Sequence, residues 1–340
     1  MKKNDIKKLL QWYQENKRDL PWRHTKDAYK IWISETMLQQ TRVDTVIPYY
    51  ERFLKTVPSI KALANVREDI LLKLWEGLGY YSRARNLQKA AKMLQNNGLN
   101  FLPPIKEELQ SLPGIGPYTV GAILSIAYDI PEPAIDGNVL RVLSRVFEEK
   151  EEILKPKVRI MYTLILKKLM KNEIPSLFTQ SFIELGALVC TKNPLCEECP
   201  LRSCCQAYKH HTVLDYPVKK IKKEKPVLLK TVLIFEYHQT FLIRKRKEIG
   251  LLANLYEFWT LDFPLNDNDV QEYLENENIS FDKIKNLGEV IHIFSHQKWI
   301  IKVYSVSLNK KIKDELFVTE KDLLEKYSLP TVFQKAWKLL

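Results

Sequence analysis

Apolar residues recur every three to four positions through the first two-thirds of the chain, the spacing of amphipathic helices. The segments 6–13, 43–57 and 84–94 each place their apolar residues on one helical face. Asp27 is positioned to cap a helix running through YKIWISETMLQQ. Further helices are predicted at 68–76, 105–111, 117–128, 137–147, 157–171 and 176–190. The pattern therefore predicts an all-α N-terminal domain.

The pattern changes to one typical of strands after a lysine- and proline-rich segment, 217–226. Runs rich in β-branched and aromatic residues follow it: VLLKTVLIFEY, FLIRKRK, LGEVIHIF and WIIKVYSVSL. Two short helices, near 319–327 and 331–339, close the chain. We therefore expect a helical domain over 1–216, a basic linker over 217–226 and an α+β domain over 227–340.

The charge of the chain indicates a polyanionic partner. Its 340 residues carry a formal net charge of +12, which favours nucleic acid, although charge alone leaves open a basic surface kept for solubility. The chain has no apolar run of about 18 residues that could span a membrane, and its N-terminus lacks the apolar core of a signal peptide. We expect an intracellular protein without a membrane partner.

The five cysteines all lie between positions 190 and 205. A disulfide framework would spread cysteines along the chain, so this clustering predicts a metal site. The candidate ligands are separated by five, two and five residues: Cys190, Cys196, Cys199 and Cys205. Soft thiolate donors suit structural zinc or a 4Fe–4S cluster, and the spacing does not separate the two. Cys204 is an alternative fourth ligand.

A glycine-rich hairpin lies within LPGIGPYTVGAILSIAYDIPEPAIDGN, residues 112–138. Gly114 and Gly116 allow close approach of an anion, and the free N–H groups of the following helix can bind a phosphate. Asp136 follows in a loop that opens another helix, where it could equally be an N-cap. A phosphate clamp near a lone carboxylate suggests an enzyme that grips a DNA backbone and acts on the adjoining sugar.

Glu35 lies on the apolar face of its predicted helix, with Ile31 and Leu38. Burial there would raise its pKa toward use as a general acid, although an amphipathic helix with one Glu at its rim explains the pattern too. Tyr118, just after the hairpin, is expected to face the same cleft. Aromatic and amide groups suited to stacking or wedging into a duplex occur at Trp22-Arg23, Gln39-Gln40-Thr41 and Tyr80-Tyr81.

Together these motifs resemble the helix-hairpin-helix DNA glycosylases and, among them, the MutY-type adenine glycosylases. The matching strings run in family order: LPWR (20–23), SETMLQQTRV (34–43), EGLGYYSRARNL (76–87), LPGIGPYTVGAIL (112–124), IDGNVLRV (135–142) and ELGALVC (184–190). The resemblance implies an N-terminal all-α helix-hairpin-helix glycosylase fold with an Fe–S cluster loop at 190–205. It also favours a functional role for Glu35.

The activity that the resemblance implies is hydrolysis of the N-glycosidic bond of adenine mispaired with 8-oxoguanine or guanine. The partner is then double-stranded DNA, and the enzyme is expected to be a monomer at the bacterial nucleoid in the cytoplasm. Glu35 matches the general acid that protonates the flipped adenine. Asp136 matches the carboxylate that stabilises an oxocarbenium-like sugar, and Asn138 and Tyr118 match residues that orient Asp136.

The resemblance also assigns residues to the DNA, the base and the cofactor. It places six at the DNA or lesion: Gln40, Thr41, Leu78, Tyr80, Gly114 and Gly116. It places four around the adenine: Trp22, Arg23, Leu38 and Gln180. It implies one 4Fe–4S cluster per chain. The family usually has six residues between its first two cluster cysteines where this chain has five, but the later intervals match and favour Cys205 over Cys204.

Residues 227–340 resemble the Nudix-like domain with which these enzymes recognise 8-oxoguanine. Phe294, Ser295 and His296 match the short motif assigned to contact with the lesion. The residues around 250–275 do not contain the glutamate-rich signature of Nudix hydrolases. We therefore expect this domain to read the lesion and not to hydrolyse nucleotides.

Two other functions remain open. A glycosylase with lyase activity on oxidised pyrimidines, as in the related endonuclease III enzymes, would carry Lys at the position of Tyr118. The lysine amine forms a Schiff base and breaks the strand, which a phenol cannot do, so we expect a monofunctional enzyme. A non-catalytic Fe–S protein that binds or scans DNA would not need both Glu35 and Asp136.

Overall fold

A computed structural model describes residues 1–220 and 224–340. Contacts divide the described chain into two compact units. Unit 1 contains Met1–Asn65 and 85–220, and unit 2 contains Val66–Ala84 and 224–340. The expected linker, 217–226, includes residues 221–223, which lie outside the described residues. The domain limits at 216 and 227 therefore stay a prediction, and the grouping of Val66–Ala84 with the C-terminal residues was not anticipated.

Helices dominate the first 216 residues, as the periodicity predicts. In chain order they are α1 Lys3–Asn16, α2 Ala28–Leu38, α3 Val43–Thr56, α4 Ile60–Asn65, α5 Glu68–Trp75, α6 Ser82–Asn96, α7 Lys106–Ser111, α8 Pro117–Ala122, α9 Gly137–Phe147, α10 Pro156–Met170, α11 Pro175–Leu188 and α12 Gln206–Lys209. Helix α5 belongs to unit 2, and α6 begins there. None of the helices described is long and apolar enough to cross a bilayer.

Local sequence explains how the helices that carry the site begin. The Asp27 carboxylate accepts hydrogen bonds from the backbone N–H groups of Tyr29 and Lys30, at 2.8 and 3.3 Å, which confirms it as the cap of α2. Helix α8 begins with Pro117 directly after Gly116 and continues as a π-helical turn, Ile123–Ala127. Proline fits this first position because its missing N–H would be unpaired there anyway.

The main core of unit 1 lies where α1, α9, α10 and α11 pack together. Its fully buried residues include Leu9, Leu143, Tyr162, Phe178 and Leu185. The cysteine segment packs against the same core through Leu201 and Cys205. A smaller cluster lies beneath the glycine-rich hairpin, formed by Ile31, Ala122, Ile126 and Ala134. The site residues on α2, α8, α9 and α11 thus project from closely packed helices.

Unit 2 has the α+β architecture expected from its strand-like runs. The strands are β1 Val227–Tyr237, β2 Thr240–Lys245, β3 Tyr256–Glu257, β4 Trp259–Leu261, β5 Phe281–Ile293, β6 Lys298–Leu308 and β7 Leu316–Thr319. They form a sheet in the order β3-β2-β1-β6-β5, with β4 paired to β1 and β7 to β2. Strands β1 and β6 run parallel, whereas β5 and β6 run antiparallel and lead into a tight loop at 294–297.

Alternating residues of β1 bury both faces of this sheet. Val232 and Ile234 pack toward α14 Glu320–Glu325 and α15 Thr331–Trp337, while Leu233 and Phe235 pack toward α13 Asp267–Asn276. Helix α13 was not predicted. Its signal was present in the sequence, since Asn266 and Asp269 form a capping box in which each side chain accepts from the other's backbone N–H.

Candidate active site

A cleft of about 760 Å³ opens in unit 1 between α2, the glycine-rich hairpin, the start of α9 and α11. Twelve of the residues expected to act in catalysis or binding line it. They are Trp22, Arg23, Glu35, Leu38, Gln40, Thr41, Gly114, Gly116, Tyr118, Asp136, Asn138 and Gln180. Segments far apart in the chain therefore meet in one cavity of the size that binds a small ligand or a single base.

Glu35 projects from α2 into this cleft and is 7% exposed. The hydroxyl of Tyr118 donates a hydrogen bond to its Oε2 at 2.5 Å. Burial raises the pKa of Glu35 to about 7, and the charge of Asp136 adds to the rise, while the Tyr118 hydrogen bond and Arg23 oppose it. A carboxyl with a pKa near neutrality can donate a proton at physiological pH.

Asp136 caps the N-terminus of α9. Its carboxylate accepts from the Val139 backbone N–H and from Nδ2 of Asn138, both at 2.8 Å. Burial raises its pKa, and these two hydrogen bonds counteract the rise because they stabilise the charged form. The structure thus shows the N-cap arrangement that the sequence left open, with the carboxylate still at the wall of the cleft.

Tyr118 differs from its expected arrangement. The resemblance paired both Asn138 and Tyr118 with Asp136, but the Tyr118 hydroxyl donates to Glu35, and Asn138 alone of the two donates to Asp136. Burial raises the pKa of Tyr118 well above its ordinary value, and the negative charges of Glu35 and Asp136 add to the rise, so Tyr118 is a neutral hydrogen-bond donor.

The hairpin has the backbone that its glycines predict. Gly114 adopts a φ of +79°, a conformation that L side chains rarely take. A Cβ at this position would lie 2.7 Å from Cβ of Asn86 on α6. Glycine is therefore required twice here, by conformation and by close packing. Gly116 precedes α8 with extended backbone, and an added Cβ there would meet open space.

Sequence matches establish the family to which this chain belongs. A model of the HhH-GPD superfamily of base excision DNA repair proteins matches residues 33–168, and the NUDIX domain matches residues 231–339. An adenine DNA glycosylase of Buchnera aphidicola subsp. Baizongia pistaciae is 37% identical over 315 residues, covering 89% of this chain and 86% of that protein. The Mus musculus adenine DNA glycosylase is 34% identical, covering 89% and 70%. The chain belongs to the adenine DNA glycosylase family.

Solved structures agree with this assignment at the level of fold. A thermostable thymine-DNA glycosylase aligns with a TM-score of 0.56 and 25% identity, covering 60% of this chain and 95% of that one. A trapped endonuclease III–DNA covalent intermediate aligns with a TM-score of 0.51 and 21% identity, covering 62% and 99%. The helical part of the chain therefore has the helix-hairpin-helix glycosylase fold, and the match to the NUDIX domain makes the C-terminal part Nudix-like.

The residues expected around the adenine are held in place by contacts within unit 1. Trp22 is buried and packs edge-on against Tyr50, with ring centroids 5.4 Å apart. Leu38 and Gln180 line the same cleft. Arg23 donates to both oxygens of Glu184, at 2.9 and 2.7 Å, and to the backbone carbonyl of Arg18. Its guanidinium is therefore fixed at the wall of the cleft.

Three residues that hold the cleft-lining side chains in place were not predicted from the sequence. They are Arg18, Glu184 and Arg141. Glu184, fully buried on α11, pairs with both Arg18 and Arg23, which lowers the pKa of Glu184 to about 2 against the opposing effect of burial. Arg141 on α9 donates to Oδ1 of Asn138 at 2.8 Å. An acid in the apolar run of α11 was the available signal for Glu184, because a buried carboxylate needs a cationic partner.

Four cysteines gather around a second pocket in unit 1. Cys190, Cys196, Cys199 and Cys205 line it together with Arg145, whose Nη1 donates to Sγ of Cys190 at 3.3 Å. Cys204 does not line the pocket, and its Sγ faces the carbonyl of Leu201 at 3.3 Å. This arrangement favours Cys205 over Cys204 as the fourth candidate ligand.

The chemistry of these thiols fits a soft metal centre. Burial raises the pKa of Cys199 to about 12 and that of Cys205 above its ordinary value. Such thiols stay protonated at neutral pH unless a bound cation removes the proton. Four thiol donors around one pocket suit a soft metal centre, either structural zinc or a 4Fe–4S cluster.

The remaining lesion candidates lie in unit 2. Leu78 is buried, and Tyr80 is 45% exposed with a φ of +48°. Phe294 packs between His292 and Trp299, with centroids 4.5 and 4.8 Å away. Ser295 and His296 follow in the β5–β6 loop, with Ser295 Oγ 3.3 Å from Nδ1 of His296. The exposed members of this set are available to a ligand.

Proposed function

We propose that this chain is a monofunctional DNA glycosylase that hydrolyses the N-glycosidic bond of adenine mispaired with 8-oxoguanine, or with guanine, in duplex DNA. The observation that carries the proposal is the pair of unlike carboxyl groups at one cleft. Glu35 is a buried acid with a pKa near 7, and Asp136 is a carboxylate held by Asn138 and a helix N-terminus. Such a pair suits acid-assisted departure of a base from a sugar.

The adenine must first leave the duplex, because its glycosidic bond is out of reach inside the stack. Extrusion costs a few kcal/mol. The cleft offers Trp22 and Leu38 as apolar walls for the base and Gln180 as a hydrogen-bonding group. Six further residues are proposed to hold the DNA or the opposing lesion: Gln40, Thr41, Leu78, Tyr80, Gly114 and Gly116.

Glu35 then donates its proton to a ring nitrogen of adenine as the C1′–N9 bond breaks. The bonding electron pair leaves with the base, which departs neutral. One positioned acid supplies roughly 10²- to 10⁴-fold of the acceleration. Tyr118, bonded to Oε2 of Glu35, orients the acid and stabilises the carboxylate that remains.

Asp136 stabilises the positive charge that develops on the sugar. Its position is fixed by Asn138 and by the N–H of Val139, so little reorganisation is needed during the reaction. Water then adds to C1′ and gives a proton to the Glu35 carboxylate, which regenerates the acid and leaves an abasic site. A phenol at position 118 provides no amine for a Schiff base, so the DNA strand stays intact.

The cysteine pocket is proposed to hold one 4Fe–4S cluster through Cys190, Cys196, Cys199 and Cys205. Such a cluster supplies a structural cross-link between thiolates. In this chain it would join the end of α11 to the segment before α12, and Arg145 would donate a hydrogen bond to the Cys190 ligand.

Phe294, Ser295 and His296 are proposed to read 8-oxoguanine. We place the enzyme, as a monomer, with the bacterial DNA in the cytoplasm.

The test is incubation of the purified chain with a duplex containing adenine opposite 8-oxoguanine, followed or not by alkali. Strand breaks that appear only after alkali support the proposal. Breaks without alkali indicate a lyase, and absence of abasic sites indicates a protein that binds without catalysis. A matched duplex with thymine opposite adenine controls for non-specific release.

A further inference from the structure

The side-chain amide of Gln180 is hydrogen-bonded to the N-terminal helix α1. The hydroxyl of Tyr13, on α1, donates to Oε1 of Gln180 at 3.1 Å. Nε2 of Gln180 donates to the backbone carbonyl of Ser176 at 3.2 Å. Gln180 lines the cleft, whereas Tyr13 does not line it and is 2% exposed. Tyr13 therefore acts on the cleft through Gln180.

These two contacts fix which end of the amide carries the oxygen. The Ser176 carbonyl can only accept, so the nitrogen of Gln180 must face it. The oxygen then faces Tyr13, whose hydroxyl must donate. Burial raises the pKa of Tyr13, so this hydroxyl keeps its proton at neutral pH. Gln180 is left with one oxygen lone pair and one N–H for a ligand.

The neighbouring cations do not replace Tyr13 in this role. Arg18 and Arg23 each pair with Glu184, at 2.7 Å. The Arg23 guanidinium lies 5.6 Å from the centre of the Tyr13 ring. Glu184 occupies both guanidinium groups, and the hydroxyl is the donor that reaches Oε1.

We propose that Tyr13 is a positioning residue for base selection, which fixes the amide of Gln180 so that the pocket accepts a 6-aminopurine and rejects a 6-oxopurine. The proposal rests on the proposed adenine glycosylase function. Adenine offers an N6 donor and an N7 acceptor, which complement an amide oxygen and an amide N–H. Hypoxanthine offers acceptors at both O6 and N7, so its O6 would meet the lone pair that Tyr13 holds in place.

The experiment compares single-turnover rates of the full-length, cluster-loaded protein on duplexes with adenine or hypoxanthine opposite 8-oxoguanine. Tyr13→Phe removes the donor and keeps the ring. We expect it to narrow the adenine-to-hypoxanthine rate ratio about three- to tenfold, the effect of one hydrogen bond. Tyr162→Phe is the matched control: Tyr162 is also fully buried in unit 1, and its hydroxyl has no hydrogen-bond partner among the described residues. It should leave the ratio unchanged.

A double-mutant cycle with Gln180→Ala separates this role from a structural one. If Tyr13 acts through Gln180, Tyr13→Phe will not change the ratio in the Gln180→Ala background. An unchanged ratio for Tyr13→Phe in the otherwise native protein overturns the inference, and so does an equal change in both backgrounds. Failure of the native protein to release adenine is a different result, because it refutes the proposed function itself.

Discussion

Gly186 on α11 and Asn138 on α9 touch so closely that a Cβ at Gly186 would lie 2.6 Å from Cβ of Asn138. Arg141 reinforces the contact, since its Nη2 donates to both the Gly186 carbonyl and Oδ1 of Asn138, at 2.6 and 2.8 Å. Asn138 in turn donates to Asp136. The packing of two helices therefore sets the position of a candidate catalytic carboxylate.

Gly186→Ala is expected to displace Asn138 and with it Asp136. A shift of about 1 Å at a reacting group can cost about a hundredfold in rate, so we expect single-turnover adenine release to fall at least tenfold. Binding of the mispaired duplex, measured by gel shift, should remain nearly unchanged because the hairpin proposed to bind DNA is untouched. A variant with native rate and native Tm would show that the contact relaxes at no cost.

Glu35→Gln is expected to abolish turnover and to change how stability depends on pH. The folded-state pKa of Glu35, about 7, exceeds its ordinary value of 4.5, so the folded protein binds the proton more tightly. The contribution of Glu35 to the free energy of unfolding is fully present below pH 4.5 and is lost as pH rises through 7. Glutamine does not ionise, so the variant does not lose stability in this way. The variant should therefore be more stable than the native protein by up to about 3 kcal/mol at pH 8 and equal to it at pH 4, as measured by denaturant unfolding.

Tyr118→Phe is expected to move the pH dependence of the reaction. The Tyr118 hydrogen bond lowers the pKa of Glu35, so removing the hydroxyl raises that pKa. The alkaline limb of the rate profile, where Glu35 loses its proton, should move to higher pH, while the maximum rate falls because the acid is less well oriented. Single-turnover rates between pH 5 and 9 test this, and a limb that moves to lower pH contradicts the assigned hydrogen bond.

Glu184→Gln is expected to destabilise unit 1. The substitution leaves the guanidinium groups of Arg18 and Arg23 without their shared anion, and removing one partner of a buried ion pair costs about 3–5 kcal/mol. The folded pKa of Glu184 is about 2, so the native contribution is present above pH 4.5 and is lost as pH falls toward 2. The difference between variant and native protein should therefore be largest at neutral pH. Equal Tm values for Glu184→Gln and the native protein at pH 7 would refute this prediction.

Cys205→Ser and Cys204→Ser are expected to differ in iron content. Cys205 lines the cysteine pocket and Cys204 does not, so Cys205→Ser should lose most bound iron while Cys204→Ser keeps it. Iron and sulfide analysis of the purified proteins measures the difference. Zinc in place of iron in the native protein would refute the proposed cofactor, and loss of iron in Cys204→Ser alone would reverse the ligand assignment.

The sequence predicted most of the helices because their signals are local, although α13 was missed. Most of the residues expected around the cleft were implied by the family resemblance. Asp27 caps α2 within three residues, and Gly114 has the positive φ that glycine adopts readily. Glu184 was missed because its partners Arg18 and Arg23 lie more than 160 positions away, and no pattern in one sequence reports such a pairing. The hydrogen bond of Tyr118 to Glu35, where the resemblance implied Asp136, was not foreseen for the same reason, since three-dimensional packing decides between the two carboxyl groups.

The placement of Val66–Ala84 in unit 2 determines how the protein can be dissected. Lys73 Nζ donates to the Tyr327 carbonyl, and Oε1 of Glu76 accepts from the Leu329 N–H. A fragment that stops before residue 222 keeps α5, including the buried Leu71 and Trp75, but discards both of these anchors. Such a truncated enzyme would lose these contacts, which support the Leu78–Tyr80 segment, as well as the C-terminal sheet. If its lesion preference changed, truncation alone would not show which of the two losses caused the change.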